Sequence, residues 1–192
     1  MSFDPVARFN RWFADARRSR IPLYDACALA TADRRGRPSV RFVLLKGADE
    51  RGFVFYTNKK SRKGGELRAN PWASIVFYWN KIDRQVRIEG KVREVPAEEA
   101  DAYWDSRPRE SNLGAIASTQ SAPLSNRQQL LKRFSALKKK FRGKDIPRPA
   151  HWTGFRIEPL TIEFWKRGNY RLHHREEFRR AGRHWKRRIL QP

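Results

Sequence analysis

Residues 41–63 read RFVLLKGADERGFVFYTNKKSRK. Two runs rich in aromatic and aliphatic side chains, 41–46 and 52–57, are separated by the short polar segment that ends at Gly52. That pattern predicts two adjacent strands joined by a tight turn. Ser61 follows, a good helix N-cap, with Gly64, Gly65, Glu66, Leu67 and Arg68 behind it. Helix-start amides, a hydroxyl and the cations Arg62 and Lys63 close together make an anion site, and phosphate is the usual anion.

Working outward, residues 4–18 read as an amphipathic helix capped by Asp4, with Pro5 in its first turn and Val6, Phe9, Trp12 and Phe13 on one side. A strand is predicted over 26–32 and a turn over 33–38, where Gly36 can take positive φ. Asn70-Pro71 ends the helix after Lys63. Residues 72–79, PWASIVFYW with its leading Pro71, are apolar nearly throughout, so this strand is expected to be buried on both faces. A strand over 84–95 is interrupted by Gly90, as a bulge would be. So many early strands with short connections predict antiparallel pairing, and a small barrel would remove the exposed edges. Helices are predicted over 97–106, 111–118 and 125–141, the last with Leu130, Leu131, Phe134, Leu137 and Phe141 on one face. A strand over 154–165 returns, and 171–178 is expected to pair with 185–190 through Ala181-Gly182. With no repeat or linker, the reading is one domain over 1–192, mainly β with peripheral helices (α+β), with a helical insert at about 97–142 and C-terminal strands at about 152–190.

The chain has 192 residues and a formal net charge of +23, from 43 Lys and Arg against 20 Asp and Glu. Its 39% hydrophobic and 12% aromatic content excludes a disordered chain, while 33% charged residues leave limited apolar material, which an obligate dimer would help to bury. The cations are spread along the chain, densest at 138–144 and 175–188, with no zinc-finger spacing, helix-turn-helix or RNA-binding aromatic signature. An anionic small substrate accounts for the charge as well as a nucleic acid does, so no specific nucleic-acid partner is expected. The single Cys27 excludes an intramolecular disulfide and reads as a buried inert thiol in the run ACALA. His151, His173, His174 and His184 show no zinc-ligand spacing, so no metal is expected. No apolar stretch approaches the roughly 20 residues of a membrane helix and no signal peptide is visible, which predicts a cytoplasmic protein.

In order along the chain, RFVLLK, FYTNKKSRK, RQVRIEG, SRPRESNLGAIASTQS, WTGFRIEPLTIEFW and RLHHR resemble the pyridoxine/pyridoxamine 5′-phosphate oxidase family of flavoproteins, over about residues 4–178. The resemblance implies a homodimeric split β-barrel with FMN at the subunit interface. It implies an oxidase that converts pyridoxamine or pyridoxine 5′-phosphate to pyridoxal 5′-phosphate while oxygen is reduced to hydrogen peroxide. It implies FMN contacts at Arg41, Phe42, Val43, Leu44, Leu45, Lys46, Tyr56, Thr57, Arg62 and Lys63, and, across the interface, at Gln85, Gln120, Ser121, Trp165 and Arg175. It implies substrate contacts at Lys46, Tyr103, Arg107, Ser111, Arg171, Leu172 and His173, with Arg171 and His173 as the catalytic pair. The chain departs from the family where Arg-Leu-His-Asp-Arg is common and it has His174 for the acid, and no counterpart is expected here of the earlier segment with Arg and Tyr that many relatives carry.

The residue chemistry bears on those roles separately. Arg41, Arg62 and Lys63, with Ser121, suit a phosphate dianion, against the alternative of solvated strand-end and helix cations. Gln85 and Gln120 can both donate and accept, which suits the edge of a flavin ring. Tyr103 and Arg107 are four apart and would share a helix face; Pro108 would turn the chain so that Ser111 caps the next helix. With Lys46 they would form a second phosphate site, for substrate. Arg171 and His173 would alternate on a strand and face one cavity. Trp165 would line the flavin pocket or sit in the core. Two other readings stay open: an FMN oxidase acting on another substrate, such as a dihydrophenazine precursor, and a non-enzymatic protein that binds flavin, vitamer or nucleic acid.

Overall fold

The computed structural model describes residues 4–192. Helix α1, Pro5–Arg18, starts where Asp4 accepts hydrogen bonds from the amides of Val6 and Ala7. Strands β1 (Ala26–Ala32), β2 (Pro38–Asp49) and β3 (Gly52–Asn58) follow, then α2 (Arg62–Ala69), β4 (Trp72–Trp79) and β5 (Arg84–Glu94). Three helices, α3 (Ala97–Ser106), α4 (Arg109–Ala117) and α5 (Arg127–Lys140), separate these from β6 (Trp152–Lys166), β7 (His174–Ala181) and β8 (His184–Leu190).

The sheet order is β3-β2-β1-β4-β5-β6-β7-β8, and every neighbouring pair is antiparallel. An additional pairing of β3 with β6 closes the first six strands into a barrel. The 15-residue strand β6 makes this possible. Along one edge it pairs with β5; along the other its first half pairs with β3 (Phe53↔Ile157 to Asn58↔Trp152) and its second half with β7 (Thr161↔Arg179 to Lys166↔His174). Hence β7 and β8 branch off the barrel as a two-stranded extension. The expected Gly90 bulge is present as a register shift between Glu89 and Gly90, where a Cβ would lie 2.0 Å from the Glu158 carbonyl oxygen.

The barrel interior holds Leu29, Phe53, Phe55, Ile75, Phe77, Ile88, Ile157, Ile162 and Phe164, closed at one side by Phe9 of α1, whose ring meets Phe53 edge-on at 4.9 Å. Cys27 lies in this core, and burial pushes its thiol up to about 12. The native protein should therefore leave Cys27 unlabelled by a thiol reagent at neutral pH and react fully once denatured; stoichiometric labelling of the native protein would contradict this.

Several sequence expectations shift. Strand β4 is buried on one face only: Ala73, Ile75, Phe77 and Trp79 point into the barrel, whereas Trp72 and Tyr78 are 50% and 58% exposed. A closed antiparallel barrel has one inside, so an apolar run need not mean two covered faces. Helix α4 begins at Arg109, after Pro108, so Ser111 sits in its first turn and does not cap it. Helix α5 runs from Arg127 with Asn126 as its cap, and Leu131 on it stays 51% exposed. Strand β7 begins at His174, so Arg171 lies in a preceding single turn, Asn169–Arg171, with φ of +64°. Arg171 and His173 therefore do not alternate on a strand.

Candidate active site

The start of α2 is built as residues 41–63 predict. Ser61 takes extended φ/ψ, and its hydroxyl accepts from the Gly64 amide at 3.4 Å. A Cβ on Gly64 would lie 2.4 Å from the Lys59 carbonyl oxygen, so the loop before the helix packs tightly under its first turn. Lys63 is 8% exposed. Its ammonium donates to Thr57 Oγ1 (3.2 Å), Ser61 Oγ (3.4 Å) and Gln120 Oε1 (3.2 Å), all neutral acceptors. Among the described residues no carboxylate lies within ion-pair distance of it. Burial first, then the charge of Arg41, hold its pKa below the ordinary lysine value. The charge of Glu66 offsets this only in part. A buried cation without an ion pair at a helix start is the group that an anion would complete, and FMN phosphate fits this donor set.

The neighbouring cations are spent differently. Arg41 donates to Thr31 Oγ1 and Ser39 Oγ and lies 3.1 Å from Glu66 Oε2, while Arg62 Nε bonds Glu66 Oε1 at 2.9 Å. Burial pushes Glu66 up, but hydrogen bonds from Ser39, Thr31, Arg62 and Arg41 outweigh it and hold the carboxyl at about 2. Because this folded value lies below the ordinary 4.5, Glu66 stabilises the fold above about pH 4.5, and that stabilisation is lost as pH falls toward 2. Acid titration should therefore show Glu66→Gln protein less sensitive than wild type in that window; identical acid midpoints would refute the network's role.

Next to Lys63 lies a cavity of about 370 Å³. It is lined by Phe42, Val43, Leu44 and Lys46 from β2, Tyr56 and Thr57 from β3, Lys63 of α2, and Tyr103, Arg107, Ser111, Gln120 and Trp152 from later in the chain. Tyr56 and Tyr103 stack at 3.9 Å with 18° between their planes, and both lie nearly parallel to Trp152. Burial, then Glu99 and Tyr103, push the Tyr56 hydroxyl up to about 12. Arg107 has left the helix, as the extended residue after α3, so it does not share a helical face with Tyr103; both reach the cavity nonetheless. Its guanidinium lies 4.6 Å from the Trp152 ring and donates to Asn112 Oδ1 (2.9 Å) and the Ser111 carbonyl (3.3 Å). Lys46 is on the rim, paired with Asp25 at 2.8 Å. Leu45 points the other way, into the core.

The structure does not bring the remaining predicted residues to this cavity. Gln85, Trp165 and Arg175 stand in direct register across β5, β6 and β7, three distant sequence positions in one row. His173 is beside them, its ring 4.7 Å from that of Trp165, and its Nδ1 accepts from the Gly168 amide at 3.3 Å. Arg171 and Leu172 are exposed in the same loop, and Ser121 is exposed with φ of +72°. Gln120, expected across an interface, bonds Lys63 and Thr57 of its own chain. Trp152 and Glu66 were not singled out from sequence. Glu66 stands four residues after Arg62, a helical pairing signal; Trp152 carried none, since its role depends on the β3–β6 pairing.

A family model described as pyridoxamine 5′-phosphate oxidase matches residues 13–141, and one described as the pyridoxine 5′-phosphate oxidase C-terminal dimerisation region matches residues 152–192. The chain belongs to the pyridoxamine 5′-phosphate oxidase family. Its relatives in that family include the pyridoxine/pyridoxamine 5′-phosphate oxidases of Gluconobacter oxydans (strain 621H), 54% identical over 95% of this chain and 91% of that one, and of Sphingopyxis alaskensis (strain DSM 13593 / LMG 18877 / RB2256), 50% identical over 100% and 89%. Among solved structures, PhzG from Burkholderia lata 383, in complex with tetrahydrophenazine-1-carboxylic acid, superposes with a TM-score of 0.94 at 36% identity, over 98% of this chain and 93% of that one. The matched dimerisation region supports a homodimer. Among the described residues no helix is long and apolar enough to cross a membrane.

Proposed function

We propose that this protein is an FMN-dependent oxidase that converts pyridoxamine or pyridoxine 5′-phosphate to pyridoxal 5′-phosphate, with oxygen reduced to hydrogen peroxide, in the cytoplasm. The observation that carries the reading is one cavity lined by two cations that form no ion pair among the described residues: buried Lys63, which bonds Thr57, and Arg107, which lies over the Trp152 ring. A phosphorylated cofactor and a phosphorylated substrate meeting in one site need two such cations.

In this reading Lys63 and the α2 amides hold the cofactor phosphate, with Arg41 and Arg62 near it in the Glu66 network. The β2 segment Arg41, Phe42, Val43, Leu44, Leu45 and Lys46, with Tyr56, Thr57 and Gln120, lies along the cofactor. The row Gln85, Trp165 and Arg175, with Ser121, completes it from the second protomer at the subunit interface. Arg107 with Lys46, Tyr103 and Ser111 holds the substrate phosphate, while the loop carrying Arg171, Leu172 and His173 closes over the substrate ring. When bound, FMN would supply the two-electron redox chemistry that links oxidation of the substrate to reduction of oxygen. The protein positions and polarises. The Tyr56–Tyr103–Trp152 wall excludes water, Arg171 orients the pyridine ring, and His173, whose Nδ1 is occupied as an acceptor by Gly168, presents Nε2–H to the ring hydroxyl.

Purified protein should be yellow and should release peroxide with pyridoxamine 5′-phosphate; FMN-loaded protein inert toward both phosphorylated vitamers would end this reading. The likeness to PhzG favours one alternative substrate class, a reduced phenazine carboxylate, for which Arg107 would meet a carboxylate. Anaerobic flavin reduction by a panel of both substrate classes separates the two.

A further inference from the structure

Beside the row Gln85–Trp165–Arg175 runs a second row on the same face of the sheet. Arg87, Glu163, Glu177 and Arg188 stand in direct register across β5, β6, β7 and β8: cation, anion, anion, cation. This is the face away from the core, since Ile162, Phe164 and Phe178 alternate with these residues and point inward. Yet Glu163 is only 3% exposed and Glu177 7%. Like charges directly opposite on adjacent strands repel, and burial strengthens the repulsion. Cations must therefore hold the pair, and three do. Arg188 Nε bonds Glu177 Oε1, Arg87 Nη2 lies 2.8 Å from Glu163 Oε2, and Arg175 Nε donates to Glu163 Oε1 at 2.8 Å. Arg175 comes from the neighbouring row, reaching diagonally to Glu163, and its Nη1 donates to the Gln191 carbonyl at 2.8 Å. Two of its three nitrogens are thus committed, and Nη2 is the one with no protein partner among the described residues. Each Glu163 oxygen faces one arginine: the Arg87 contact is an ion pair without hydrogen-bond alignment, whereas the Arg175 contact is an aligned hydrogen bond.

We infer that Glu163 is a positioning residue: it fixes the Arg175 guanidinium beside Trp165 and Gln85 so that Nη2 is presented to FMN. This rests on the proposed reading of Arg175 as a cofactor contact. A side chain as flexible as arginine loses rotamer entropy on binding an anion, and a preorganising carboxylate removes that cost beforehand. Glu163 has no direct contact with FMN in this scheme, so its whole effect on the cofactor must pass through Arg175.

A double-mutant cycle on the full-length protein tests this, with FMN affinity read from quenching of flavin fluorescence. Glu163→Ala is expected to weaken FMN binding about tenfold, and Glu163→Gln, which keeps an acceptor, by less. In the Arg175→Ala background both substitutions should change affinity by less than about twofold. Equal losses in the two backgrounds, or no loss in either, would overturn the inference; should the alanine variant not fold, the glutamine variant carries the same cycle. If Arg175→Ala alone leaves FMN affinity unchanged, the assignment of Arg175 to the cofactor falls, and the inference with it.

Discussion

Lys63→Ala protein is expected to fold normally and to lose its grip on FMN. Removing a charge-assisted contact to the phosphate should cost about 2 to 3 kcal/mol, roughly 30- to 150-fold in Kd. The fold should not suffer, because Lys63 bonds only neutral acceptors, and burying an ammonium without a carboxylate is a cost that the cofactor-free protein carries. The sign of the stability change is thus opposite to that of the affinity change: without FMN, the variant should melt at or above the wild-type temperature. A core lysine with a structural role would do the reverse. Fluorescence titration with FMN and a melting curve of the cofactor-free protein check both halves; an unchanged Kd would remove Lys63 from the site.

Arg171→Ala is expected to retain FMN and to lower kcat/KM by about 100-fold, the loss of roughly 3 kcal/mol of transition-state contact. Arg171 is exposed, sits in a turn that places both Tyr170 and Arg171 at positive φ, and lines no part of the cavity in its own chain. The substrate role proposed for it therefore requires the cavity of the second protomer. Mixing is the sharper measurement. Neither Lys63→Ala nor Arg171→Ala homodimers should turn over well at limiting FMN. Mixed dimers place both substitutions in one site and leave the other site intact, so activity should reappear on co-refolding. No recovery would mean that Lys63 and Arg171 serve the same site from one chain.

Much of this arrangement was legible in the residues. The caps at Asp4 and Ser61, the strand over 26–32, the Gly90 bulge and the two strands within 41–63 are local: each follows from which side chains can satisfy the backbone a few residues away. The fate of the cations was not. Arg41, Arg62 and Lys63 look alike in sequence as phosphate ligands, but Glu66 pairs with the first two and leaves the third buried without an ion pair. That sorting depends on α2 docking against Thr31 of β1 and Ser39 of β2, a contact between segments some thirty residues apart. Ser111 and Arg171 were misplaced for a related reason: Pro108 could end one helix or start another, and a run such as RLHHR reads as strand until the turn at 169–171 shows two residues in the left-handed region.

Most of the elements, the family they resemble and the residue types that suit two phosphates follow from sequence alone, because periodicity, caps and turn chemistry act over a few residues. Only the tertiary structure decided which of those residues share a place. Closing the barrel through β3 and β6 brings Lys63, Tyr103, Arg107 and Trp152 around one cavity, while the register of β5, β6 and β7 gathers Gln85, Trp165 and Arg175 elsewhere. Strand register is set by which face of each strand must be buried, and that is a property of the whole sheet, written in no single stretch of the chain.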